Sequence, residues 1–95
     1  MFWFIEQLAS AGEALGLSPG VAMQLAKQTV LGSAMLAAGS KEPPALLRER
    51  VTSRGGTTAA ALAVFEEARL AEHFRRAVEA ASHRGAEMGE ELGKK

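Results

Sequence analysis

Hydroxyl, glycine and arginine residues crowd into the stretch "VTSRGGTT", Val51 to Thr58. Thr52, Ser53, Thr57 and Thr58 bring hydroxyls, Gly55 and Gly56 bring backbone freedom, and Arg54 brings a charge. A glycine pair permits positive φ and close backbone approach. A helix that begins just beyond it turns its first, unsatisfied N–H groups toward the loop, with the positive end of its dipole behind them. Such an arrangement suits a carboxylate or a phosphate. It equally suits a plain capped turn between two helices, and a single Gly-Gly-Thr-Thr does not decide between the two.

Other routes to chemistry are poorly supplied. His73 and His83 are the only histidines. At 3.6 residues per turn they sit about 80° apart and two to three turns apart on one helix, too far to share a metal ion. The adjacent pairs Glu66-Glu67 and Glu90-Glu91 diverge on a helix rather than converge on a substrate, so they read as solvated faces. Arg48, Arg50, Arg75 and Arg76 lie beside Glu49, Glu72 and Glu79, which balances them locally. There is no cysteine, hence no disulfide framework, thiolate nucleophile or Cys-based zinc site. No metal site and no side-chain nucleophile are expected.

Ninety-five residues suffice for one compact unit, taken here as 1–95. Hydrophobic residues make up 47% of the chain but aromatics only 5%. A core of alanine, leucine and valine gains little per residue at about 25 cal/mol per Å² buried, so self-association is an expected source of stability. Eleven basic and eleven acidic residues cancel, which disfavours a nucleic-acid or anionic-membrane binder. No run is apolar enough to span a bilayer, and "MFWFIEQL" lacks a basic leader region, so a soluble, cytoplasmic chain is expected.

The elements that must position the loop are all helical. Phe4, Leu8, Ala11 and Leu15, flanked by Ile5 and Gly12, predict a helix from about Phe2 to Leu15 that ends at Gly16. Ser18 then caps, and Pro19 opens, a second helix to about Ala38, ended by Gly39. That helix carries Val21, Leu25, Gly32 and Met35 on one face and Met23, Ala26, Val30 and Ala37 on another. A helix apolar on two faces needs cover on both, and a partner chain is the natural source. A short helix from near Pro44 should bury Leu46, Leu47 and Val51. Another starts near Thr58 with Leu62 and Phe65, and a break is expected near Arg69 or Leu70. The last helix sets Phe74, Val78, Ala81, Gly85, Met88 and Leu92 in four-three steps, a seam for one neighbour in which Gly85 allows close approach. The tail "GKK" is expected to fray. Phe2, Trp3 and Phe4 cannot all face one core. They read either as a terminal helix packed into a dimer or as an element that once continued upstream, and the missing N-cap favours the second.

From Pro44 to Glu66 the order Pro44, Leu47, Val51-Thr52-Ser53, Gly55-Gly56, Thr58, Ala61-Leu62 and Phe65-Glu66 resembles the signature segment of pyrroline-5-carboxylate reductases. "FIEQLASAGEALGL" is similar to the family's helix after its substrate-side loop, and "LAKQTVLGSA" to its long dimer helix. The likeness runs without a gap from about Phe2 to Met88. It implies the C-terminal, all-α domain of that enzyme: about five helices interlocking with those of a second subunit in a homodimer. It further implies that the loop binds the carboxylate of pyrroline-5-carboxylate or proline. By position, Gly55, Gly56, Thr57 and Thr58 would supply backbone N–H groups. Thr58 would also offer its hydroxyl to the ring nitrogen, and Ser53 would support the loop. The nicotinamide of NADP or NAD would come from a Rossmann domain and deliver hydride to the imine carbon.

Two departures qualify the likeness. Where the family often has proline after the serine, this chain has Arg54. Nor does the sequence contain a Gly-x-Gly-x-x-Gly following a strand, or the Ser/Gly-rich loop that precedes the family's first helix. The expectation is therefore the dimerisation and substrate-side domain alone, with no cofactor bound by this chain and no turnover. The alternative is a purely structural helical dimerisation module in which the loop is only a turn.

Overall fold

Glycine and proline punctuate the first half of the chain, and the helices begin and end where they fall. In the computed structural model, which describes residues 1–93, the elements are α1 (Phe2–Ala14), α2 (Pro19–Gly39), α3 (Pro44–Arg50), α4 (Thr57–Glu67) and α5 (Leu70–Gly93), with no strand among the described residues. The all-α architecture is as the periodicity required. The chain divides into two compact units, Met1–Arg48 and a second that begins at Glu49.

In the first unit α1 packs on α2. The turn between them is a Schellman motif: Leu17 N–H donates to the Gly12 carbonyl at 3.1 Å and Gly16 N–H to that of Glu13 at 2.9 Å. Gly16, at φ +105°, holds the left-handed position that a side chain would disfavour. Pro19 opens α2 as expected, and Ala22 N–H donates to the Ser18 carbonyl at 2.9 Å. The Ser18 side chain, however, makes no capping hydrogen bond. Gly39 is the last helical residue rather than the terminator, and Ser40 takes up the extended backbone.

The packed faces differ from the expected ones in an informative way. On α1 the inward row is Ile5, Ala9 and Gly12, one residue round from the predicted Phe4, Leu8, Ala11 and Leu15. Leu8 is 44% exposed and Leu15 88%. Ala9, Ala22 and Ala26 are the buried hydrophobic residues of the unit. A Cβ built on Gly12 would stand 3.4 Å from the Ala22 Cβ and 3.3 Å from Leu17 Cδ1. Small side chains thus let the backbones of α1 and α2 approach closely, and the bulky residues are left outside. On α2 the row Met23, Ala26, Val30 and Ala37 is buried or half-buried, whereas Val21, Leu25 and Met35 are exposed and Gly32 meets nothing within 4 Å. One of the two apolar faces is covered and the other is not. An apolar groove of about 210 Å³ lies between α1 and α2, lined by Leu8, Leu15, Leu17 and Leu25 among others.

In the second unit α4 packs on α5, and from Glu49 to Gly93 no residue is fully buried. The helices break where expected. Ala68 N–H closes α4 on the Val64 carbonyl at 3.0 Å, and Arg69 turns left-handed at φ +55°. The Arg69 carbonyl then accepts from His73 N–H at 3.1 Å as α5 starts. Along α5 the predicted seam is open: Phe74, Val78, Met88 and Leu92 are exposed, and Gly85 meets nothing within 4 Å. Ahead of the loop, Leu46 and Leu47 of α3 are half-buried as expected. Val51 is 65% exposed, because α3 ends at Arg50 and releases it from the helical face. The predicted fraying of Lys94 and Lys95 lies outside the described residues.

Candidate functional site: the Ser53–Thr58 loop

Ser53, Gly55, Gly56, Thr57 and Thr58 are brought together on one tight turn and the first turn of α4. Gly56 N–H donates to the Ser53 carbonyl at 3.0 Å, closing a four-residue turn, so this amide is engaged within the turn and is not the open donor expected of it. Gly55, third in that turn, has φ +73°. A left-handed residue there is the requirement of a type II turn, and glycine meets it without steric cost. Nothing lies within 4 Å of where a Gly55 side chain would begin, so its role is conformational.

Gly56 is a glycine for a different reason. It is the N-cap of α4 with extended backbone, φ −85° and ψ −179°, which any residue can adopt. A Cβ there would collide with Ser53 Oγ and come within 3.2 Å of the Ser53 carbonyl oxygen. The Ser53 side chain therefore lies folded over Gly56.

The Gly56 carbonyl accepts the first helical hydrogen bond, from Ala60 N–H at 3.1 Å. The N–H groups of Thr57, Thr58 and Ala59 have no backbone acceptor among the described residues, and no side chain caps the helix. These three donors converge at the positive end of an 11-residue helix. Thr58 and Ala59 are half-buried while Thr57 is exposed, so the donor cluster is partly shielded yet reachable. Ala59 is the one contributor that residue-type reasoning passed over. Its side chain has no chemistry, and only the rule that a helix leaves its first amides unpaired points to it.

Arg54, at the second position of the turn, is exposed and has no hydrogen bond or ion pair among the described residues. Elsewhere charges do pair. Arg69 meets Glu72 at 3.8 Å, and on α5 Arg84 donates to Glu87 at 2.9 Å and approaches Glu91 at 3.5 Å. His83 Nδ1 lies 3.0 Å from Glu87 on an exposed helix face, and His73 is exposed. No cluster of potential metal ligands occurs among the described residues. The α1–α2 groove has no ionisable side chain in its lining, so it offers packing and no chemistry. No helix among the described residues is long and apolar enough to cross a membrane.

The chain is similar to known proteins along most of its length. Residues 1–88 match the family model for pyrroline-5-carboxylate reductase dimerisation. A pyrroline-5-carboxylate reductase of Pseudomonas aeruginosa is 45% identical over 92 residues, covering 97% of this chain and 34% of the relative. That of Arabidopsis thaliana is 39% identical over 90 residues, 95% of this chain and 33% of the relative. Among solved structures, a pyrroline-5-carboxylate reductase from Coxiella burnetii superposes with a TM-score of 0.85 at 43% identity, covering 90% of this chain and 32% of that one. The Plasmodium falciparum pyrroline carboxylate reductase with NADP bound gives 0.81 at 36% identity, over 84% and 30%. The chain thus spans about a third of the length of the curated relatives it matches.

Proposed function

The chain belongs to the pyrroline-5-carboxylate reductase dimerisation family, and from that premise we propose that it is the dimerisation and substrate-side part of an enzyme that reduces 1-pyrroline-5-carboxylate to L-proline. The observation that carries the proposal is the donor cluster at the start of α4, where three amides without backbone acceptors follow a turn built by Ser53, Gly55 and Gly56.

The substrate is a small ring with one carboxylate and one imine. Thr57 and Thr58 bind the carboxylate through their amides, and Gly55 and Gly56 leave room for the ring to approach the backbone. The Thr58 hydroxyl faces the ring nitrogen. When bound, the nicotinamide cofactor, NADP or NAD, supplies hydride to the imine carbon. What this chain contributes is position: a ring held at a fixed distance and angle, with no side-chain nucleophile required. These 95 residues contain no Gly-x-Gly-x-x-Gly. We therefore assign cofactor binding to the remaining two thirds of the relatives' length, and expect no turnover from the present chain by itself.

A homodimer is the assembly that fits. Val21, Leu25 and Met35 on α2, and Phe74, Val78, Met88 and Leu92 on α5, are apolar side chains that their own units leave exposed. A second copy is their natural cover. Zero formal net charge gives no electrostatic footprint for nucleic acid, and a cytoplasmic location suits the cysteine-free sequence.

Titration of the isotope-labelled chain with proline or a cyclic carboxylate, followed by amide NMR, tests the site. The Thr57, Thr58 and Ala59 signals should move first and most. A titration at millimolar ligand that leaves them still, while the dimer is intact, would favour a structural module over a substrate loop.

A further inference from the structure

Between Val51 and Phe65 Arg54 is the only ionisable side chain. Among the described residues it is exposed and unpaired, two residues ahead of the N-cap of α4. A cation at that end of a helix meets the positive pole of the dipole, so in the unliganded loop it is placed unfavourably. Nothing in the turn calls for it. The second position of a type II turn is the one where proline is favoured, and Gly55 supplies the conformation that follows. Glu49, the nearest acidic residue before it in the chain, forms no ion pair with it among the described residues.

We infer that Arg54 is a specificity-determining residue of the carboxylate loop, an unpaired cation that raises affinity for ligands of net negative charge and makes their binding salt-dependent. This rests on the reading of Ser53–Thr58 as the substrate-carboxylate site. The inference adds a component that the amides alone do not supply. Helix-end donors are fixed dipoles, whereas a guanidinium on the loop acts on any anion approaching it. A zwitterion such as proline gains less, because its ammonium group meets the same charge.

The scale follows from Coulomb's law. A unit charge about 7 Å from the carboxylate, in surroundings close to water, changes affinity about threefold, and direct guanidinium contact changes it more. At about 0.5 M salt the Debye length falls below that distance and most of the effect disappears.

The test is an amide NMR titration of the whole chain with cyclopentanecarboxylate and with proline, at low ionic strength and at about 0.5 M salt. It compares the parent with Arg54→Gln and Arg54→Pro. Proline at this position keeps the turn, and the hydrogen-exchange protection of Gly56 N–H reports that it has done so. We expect both variants to bind cyclopentanecarboxylate at least threefold more weakly at low salt, to lose most of the salt dependence, and to change little toward proline. Equal affinities and salt dependence in parent and variants, with the Thr57 and Thr58 amides still responding, would overturn the role of Arg54 and leave the loop reading standing. Silence of those amides in the parent would overturn both.

Discussion

Gly56→Ala separates a built loop from an ordinary turn. Backbone conformation is no obstacle, since φ −85° and ψ −179° suit alanine. The obstacle is Ser53. An alanine methyl would collide with its Oγ, then stand 3.2 Å from its carbonyl oxygen and 3.6 Å from its Cβ. Overpacking of this kind costs about 1–3 kcal/mol. The N-cap changes from a tolerated glycine to a disfavoured alanine, which contributes within that range. Removing the hydroxyl by Ser53→Ala relieves only the worst of these contacts. Gly56→Ala should therefore cost about 2 kcal/mol alone and about 1 kcal/mol in the Ser53→Ala background, a coupling of about 1 kcal/mol. Gly55→Ala provides the contrast. It too should cost about 1–2 kcal/mol, from its φ of +73°, but with nothing within 4 Å the cost should be the same whether or not Ser53 is present. The assay is urea unfolding at one fixed protein concentration, because stability gained from self-association depends on concentration. Additivity of Ser53→Ala and Gly56→Ala within about 0.5 kcal/mol would refute the packing of Ser53 over Gly56.

Other substitutions probe other links. Gly32→Leu and Gly85→Leu meet open space in the single chain and improve helix propensity by up to about 1 kcal/mol, yet should weaken the dimer by about 1–3 kcal/mol through overpacking. Circular dichroism should show retained helix while light scattering shows monomer, and an undiminished dimer would remove these glycines from the interface. Gly12→Leu should cost about 1–3 kcal/mol in thermal unfolding by pushing α1 off Ala22, whereas Gly12→Ala should be nearly neutral because the 3.3–3.4 Å contacts offset the gain in helix propensity. In the complete enzyme Thr58→Ala should lower kcat/KM by an interaction worth about 1–2 kcal/mol and leave the oligomeric state unchanged. Loss of the dimer in that variant would make the loop structural.

The parts of the fold legible in the sequence were those fixed by backbone chemistry. Gly16, Pro19, Pro44 and the Gly55-Gly56 pair each mark a conformation or a missing donor, and the helices start and stop accordingly. The break expected near Arg69 or Leu70 rested on no residue that forces it, and the left-handed backbone of Arg69, a non-glycine residue, has no sequence signal of its own. Faces were harder to read. In a chain this rich in alanine the contact between α1 and α2 selects small residues, Ala9 and Gly12 against Ala22 and Ala26, so bulk at Leu8 and Leu15 marks the outside of the unit. A periodicity count weighted toward large apolar residues therefore lands one position off. The α5 seam illustrates the converse. Phe74, Val78, Met88 and Leu92 form a regular stripe that their own unit leaves exposed, because regular spacing predicts a contact without saying which chain supplies it. At the loop, residue types suggested backbone amides as donors, with hydroxyls added beside them. The geometry gives the two glycines separate roles and adds Ala59, which no type-based reading would select.

The most direct test of the substrate-loop account is a crystal structure of this chain grown with proline or cyclopentanecarboxylate. The expected result is a twofold helical dimer in which the ligand carboxylate accepts hydrogen bonds from the Thr57 and Thr58 amides, at about 2.7–3.2 Å, with Gly55 still left-handed. A carboxylate bound elsewhere, or a loop whose amides are turned away from the ligand, would contradict it.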